Sequence, residues 1–173
     1  MRFLFALLAV FAAAPAVLPA AGVLVYIEET GDVILAQNGH PIRDEVLAGL
    51  FDRGYIVFDP GEDSVGDVAW ASGETASLLR AAVEGGAGVI VVARSEARAT
   101  KREQGRPVVE ASLVYFVLRV SESGANAIAS GSLSASNRGK EEEVSAEAVV
   151  HELGASLAAA VYAVAPQGAG QEH

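Results

Sequence analysis

The chain has no cysteine among its 173 residues. No disulfide can staple it, no thiolate can act as nucleophile or metal ligand, and no lipid can be attached through a cysteine behind a leader. Basic residues are scarce, with 12 Lys and Arg against 22 Asp and Glu and a net charge of −10. Nucleic acid and anionic lipid repel such a chain unless it carries a local basic patch, so general nucleic-acid binding is excluded. Only three histidines occur: His40, His151 and His173. Neither G-x-S-x-G nor S-x-x-K is present, so a serine nucleophile lacks its usual framework. His40 precedes Pro41, where opening a helix is its simpler role. Glu147 and His151 are spaced i, i+4, as are His40 and Asp44, but zinc needs three or four ligands and no third lies nearby in sequence. No catalytic residue, cofactor or metal site is expected.

What is present starts at the amino terminus. Met1-Arg2 is followed by an apolar run from Phe3 to Val17, broken only by Pro15, and then by the small residues of Leu18-Pro19-Ala20-Ala21-Gly22. That is the order of a secretory signal peptide. Residues 3–27 carry no charge and could span a bilayer. Pro15 and Pro19 would break such a helix, however, and 23–27 reads as a strand. The expected organisation is a signal peptide at 1–21, one domain at 22–165 and a disordered tail at 166–173. About 150 residues would remain after cleavage, enough for one core. No stable transmembrane segment is expected after cleavage, and the expected location is the periplasm, the outer membrane's periphery or outside the cell. Without disulfides it must rest on its hydrophobic core, which 51% apolar residues allow.

Periodicity organises the remainder. A strand is predicted at 22–28 (GVLVYIE). A helix follows with Pro41 at its first position, acids in its first turns, Ile42, Val46, Leu47, Leu50 and Phe51 at helical spacing, and Gly54 as its stop. A strand at 55–58 leads into an acidic, turn-rich loop, 59–67 (DPGEDSVGD). Ser72 can cap a second helix whose predicted buried stripe is Thr75, Leu78, Leu79, Ala82 and Val83, and which ends at Gly85-Gly86. That glycine cluster ends a helix and opens a strand, the reverse of a phosphate-binding loop. The apolar run 87–93 reads as a strand covered on both faces. Residues 95–106 read as a polar connection, 108–120 as a long strand, and 127–136 as its half-buried hairpin partner, with serines at even positions apart from Ile128. A final helix runs to about Val164, its stripe including Val149, Val150, Leu153, Leu157 and Val161. The order β-α-β-α-β-β-β-α gives an α/β (α+β) fold: a mixed sheet of about five strands with three helices against it.

Two charged segments are candidate binding sites. Arg94, Arg98, Lys101, Arg102 and Arg106 are five of the twelve basic residues, gathered in one short stretch. They could meet phosphate, lipid headgroups or an acidic partner, or simply form a solvated segment with Glu96 and Glu103 offsetting part of the charge. Asp59, Glu62, Asp63 and Asp67 form the second segment. They lack the one-three-five spacing with a central glycine of a calcium loop.

Several short runs carry a family resemblance: Gly54-Tyr55-x-Val57, then Gly86-Ala87-x-x-Ile90-Val91-Val92, then the Ala111 to Val120 strand, then Ile128-Ala129-Ser130-Gly131. In this order they resemble the α/β periplasmic domain shared by curli-secretion channel proteins (CsgG-like), by the amino-terminal domain of the Tol–Pal translocation protein, and by flagellar and penicillin-binding-protein-activating outer-membrane accessories. The resemblance implies a non-enzymatic binding or assembly module in a bacterial envelope. The chain departs from that pattern in having neither a lipidation cysteine nor room for membrane-crossing hairpins. The expected partner is an envelope protein or cell-wall glycan, recognised through either charged segment or an exposed strand edge. Two alternatives stand beside this: a periplasmic enzyme using Glu62, Asp63 and Asp67, and a subunit that self-assembles through its sheet edge. If the leader is removed, intact-mass measurement of the exported product will place its first residue at Ala21 or Gly22; retention of Met1 would mark an anchor instead.

Overall fold

The computed structural model describes residues 21–32, 39–60, 76–103, 106–138 and 145–165. The elements are β1 (Gly22–Thr30), α1 (Pro41–Phe51), β2 (Ile56–Phe58), α2 (Ala76–Gly85), β3 (Val89–Glu103), β4 (Arg106–Ser121), β5 (Gly124–Ser136) and α3 (Ala146–Val164). They occur in the expected order, and the sheet is mixed and five-stranded, with strand order β2-β1-β3-β4-β5. β1 runs parallel to β2 and to β3, whereas β3, β4 and β5 pair antiparallel. The predicted signal peptide up to residue 20, the predicted tail, the expected Ser72 cap and most of the acidic loop lie outside the described residues.

Two apolar layers flank the sheet because side chains alternate along each strand. Val23, Val25 and Ile27 of β1, Val89, Val91 and Ala93 of β3, and Leu113 and Val117 of β4 face α1 and α3. Leu24, Ile90, Val92 and Leu118 point the other way, onto Leu78 and Ala82 of α2. Val89 through Ala93 is therefore sealed from both sides, as its unbroken apolar run predicts. α3 is long and apolar enough, by length and composition, to cross a membrane. Its apolar side, including Val150, Leu153, Leu157 and Val161, is packed into the larger core.

The turns follow their residues. α1 stops at Asp52 and α2 at Gly85, and Gly54 and Gly86 next take positive φ of 86° and 72°, a conformation glycine adopts without strain. Ser145 caps α3, its hydroxyl accepting from the Ala148 N–H at 3.1 Å.

Sequence reading went wrong at 95–106. This segment is not a connection. β3 continues to Glu103 and β4 begins at Arg106, so the region is the far end of one long hairpin. The odd interruption at Ile128 also has a cause. Val117 pairs with Ala129 but Leu118 pairs with Ala127, which leaves Ile128 as the extra residue of a β-bulge. The bulge reverses side-chain parity. Ala125, before it, packs with the α2 layer, whereas Ala129 and Leu133 pack with the α1/α3 layer, where Ile128 also lies.

α1 begins without a cap of its own, since His40 at the N-cap position makes no side-chain cap bond. Glu29, at the end of β1, substitutes. Its carboxylate accepts from the backbone N–H of Arg43 at 2.8 Å and of Ile42 at 3.3 Å. Burial pushes the Glu29 carboxyl above the usual carboxylate range, while those two N–H groups, His40 and Arg43 pull the other way.

α1 and α3 meet at a glycine. A Cβ on Gly154 would lie 2.7 Å from the Glu45 Cβ and 3.0 Å from the Ile42 carbonyl oxygen. Beside this contact, His151 Nδ1 lies 2.8 Å from Glu45 Oε2. His151 therefore bridges the two helices instead of only facing solvent.

Two predictions follow from these contacts. Gly154→Ala should destabilise the fold by about 1–3 kcal/mol through overpacking, although the same change at an open helical site would stabilise by about 1 kcal/mol. Chemical denaturation midpoints check this, with Gly88→Ala, where an added Cβ meets nothing within 4 Å, as the control. The second prediction concerns Glu29. Below its ordinary value of 4.5 the group is protonated in both states and its burial carries no ionisation penalty. As pH rises from there through the raised folded value, the native state must bury a charge, so stability falls across that window. Glu29→Gln should remove this fall, so that its stability relative to the parent improves as pH rises; a difference that stays flat with pH would refute it.

Candidate functional site

α2 is only ten residues long and covers one end of its side of the sheet. Beyond Val92 the same side continues without a described helix over it, and the residue types change there. β3 presents Arg94, Glu96 and Arg98; β4 presents Glu110, Ser112 and Val114; β5 presents Ser132, Ser134 and Ser136. Strand register sets these side chains in rows. Arg94, Val114 and Ser132 form one row, Glu96, Ser112 and Ser134 the next, and Arg98, Glu110 and Ser136 the third.

The charges on this face are matched. Arg94 Nη2 meets Glu28 Oε1 at 2.9 Å, Arg98 pairs with Glu96, and Arg138 Nη2 meets Glu110 Oε1 at 2.9 Å. These are largely solvated pairs, each worth about 0–1 kcal/mol to stability. Their effect is to make the face locally neutral within an acidic chain. Two adjoining open depressions mark it. One of about 570 Å³ is lined by Glu96, Arg98, Glu110, Ser112, Ser134 and Ser136. The other, of about 330 Å³, is lined by Thr30, Arg94, Glu96, Ser112 and Val114 among others. Fixed donors and acceptors on a strand scaffold suit a polar, hydrogen-bonding partner better than a polyanion. Val114, half exposed at 51%, gives the face an apolar centre.

The residues singled out in the sequence are therefore divided. Arg94 and Arg98 lie on this face. Lys101, Arg102 and Arg106 belong to the same hairpin nearer its turn, and their side chains lie outside the described residues. Asp59 lies elsewhere, after β2, with Oδ2 3.3 Å from Arg43 Nη1. Glu62, Asp63 and Asp67 lie outside the described residues. Glu28, Glu96, Glu110 and the serines were missed as site residues. Their signal was the alternation of 94–99, where charged even positions face away from Ser95, Ala97 and Ala99. The density of charge made that run read as a loop.

A sheet of this winding would take a ligand anion at a helix N-terminus beyond the strand ends. At α1 that position is occupied by the chain's own Glu29. Among the described residues, no group of three or more His, Asp or Glu side chains is placed to hold a metal ion.

The class defined by this fold is a small α/β domain with a five-stranded mixed sheet and helices on both sides. It is similar to PelC from Paraburkholderia phytofirmans, solved as a dodecamer, with TM-score 0.53 and 16% identity over 80% of this chain and 89% of that one. Two further solved structures are the hypothetical protein CT253 from Chlamydia trachomatis (TM-score 0.49, 14% identity, 84% of this chain and 95% of that one) and the lipoprotein GNA1162 from Neisseria meningitidis (TM-score 0.45, 18% identity, 85% and 99%). No protein-family model matches the chain, and no curated protein matches it in sequence. At such identities the likeness to PelC is one of fold.

Proposed function

We propose that this chain is an exported, non-enzymatic accessory of the bacterial cell envelope, which assembles with copies of itself and recognises a protein or glycan partner through the polar face of β3, β4 and β5. The observation that carries the reading is the shared fold with PelC, whose subunits form a dodecamer. The signal-peptide order of the first 21 residues supports export. The likeness of the element order to the CsgG-like and Tol–Pal domains supports an envelope role. The matched charges and serines of the open face support recognition by hydrogen bonding, since they are solvated and paired rather than gathered in a desolvated pocket. Arg94 and Arg98 are the basic residues assigned to this face; Lys101, Arg102 and Arg106 would extend it along the hairpin. A catalytic role draws no support from the described residues.

The test is photo-crosslinking in intact cells from a probe placed at Val114, combined with the mass of the purified mature protein across concentrations. The expected result is an oligomer that crosslinks to one dominant envelope component, with that product lost in Arg94→Glu and Arg98→Glu variants. A free monomer at every concentration, with no specific product, would overturn the reading.

A further inference from the structure

We infer that two copies of this chain join edge to edge through β5, antiparallel about a two-fold axis, merging their sheets into one. The inference rests on the assembly reading above and names its surface.

β5 is the last strand in the sheet order, thirteen residues long, and no described strand pairs with its outer side. Outward N–H and C=O groups recur along such an edge, and they are a template for another strand. Edges that must stay single are guarded by charges, proline, short length or a twisting bulge. The opposite edge, β2, has three residues and is guarded by its length. β5 has no charged residue and no proline (GANAIASGSLSAS). Its one bulge, at Ile128, lies in its first half, and from Ala129 to Ser136 the pairing with β4 is regular.

The occupant that fits is a second copy. Two molecules of net charge −10 repel, and the repulsion is least where both present an uncharged strip. The strip is also complementary to itself. After the bulge, Ser130, Ser132, Ser134 and Ser136 face one side and Ala129, Gly131, Leu133 and Ala135 the other. A two-fold axis perpendicular to the sheet keeps the α1/α3 layers of both copies on the same side. It therefore sets serine opposite serine, a pairing that hydrogen-bonds across strands, and small side chains opposite small ones. Gly131 fits this role, because the Tyr115 ring of β4 already covers it: a Cβ there would lie 2.9 Å from the Tyr115 hydroxyl.

The native chain has no cysteine, so a single introduced one reports only contact between molecules. Cysteine placed in turn at Ser130, Ser132, Leu133 and Ser134 should give dimers on oxidation or with a short bis-maleimide, at one narrow set of positions. Glu84→Cys, on exposed α2, should give none. Separately, the double variant Ser132→Lys and Ser134→Lys, at two exposed positions, should keep its circular dichroism but lower the solution mass, with association weakened at least about tenfold by like charges set opposite each other. An oligomer that the lysines leave unchanged, with no crosslink through β5, would overturn the seam and leave the assembly reading standing. A β5 cysteine that joins a different protein would overturn the choice of a second copy. A native chain that is monomeric at every concentration would overturn both.

Discussion

The burial of Val89 to Ala93 from both sides is the constraint on which the rest of the molecule depends. Five successive apolar residues cannot be satisfied by one helical layer, because alternate side chains point to opposite faces. α1 and α3 cover one face and α2 the other. The strand must also lie inside the sheet, and it does, between parallel β1 and antiparallel β4. The crossovers β1-α1-β2 and β2-α2-β3 follow, since they place one helix on each side before the chain turns back on itself in the hairpins.

The open face is the consequence of where that burial stops. α2 ends its coverage near Val92, and Arg94 is the next residue on the same side. From there β3 keeps its extended conformation but changes chemistry, because one face still meets the core through Ala93 and Ala97 while the other meets water. The matched ion pairs add little to stability. What they supply is a neutral, patterned surface in a chain with a large excess of acid. Glu29 works in the opposite sense: it is a carboxylate drawn inward, held by two backbone N–H groups, and it fills the helix terminus that could otherwise receive an anion.

The helix pair depends on close approach rather than on bulk. Gly154 lets α3 come against Glu45 and Ile42 of α1, and the His151 to Glu45 contact lies at the rim of that approach. Neither contact involves residues close in sequence, and Gly154, Glu45 and His151 are not marked by hydrophobic period.

Much of the fold was legible because periods of two and of three to four are written in the chain. The apolar run before Arg94 marked a central strand, the alternating serines marked a half-buried one, and Pro41, Gly54 and Gly86 marked helix boundaries. Two things resisted. The run from Arg94 onward has a period of two, but local charge outweighed it, and only pairing with β4 and a core contact on the opposite face make it a strand. The bulge at Ile128 left a break in the pattern whose meaning depends on the register with β4. The candidate site was less legible than the fold. Arg94 and Arg98 drew notice as part of a cluster of like charge; Glu96, which pairs with Arg98, lies two residues away on β3, whereas Glu28 comes beside Arg94 only when β1 and β3 pair. The sequence by itself determined most of the apolar sides and the order in which the elements form, because hydrophobic period is a local property, although Phe51 and Val83, at predicted stripe positions, are exposed. Tertiary structure alone decided that Glu28 pairs with Arg94, that Glu29 caps α1 and that β5 is left at an edge, because each depends on residues far apart in sequence being brought into register.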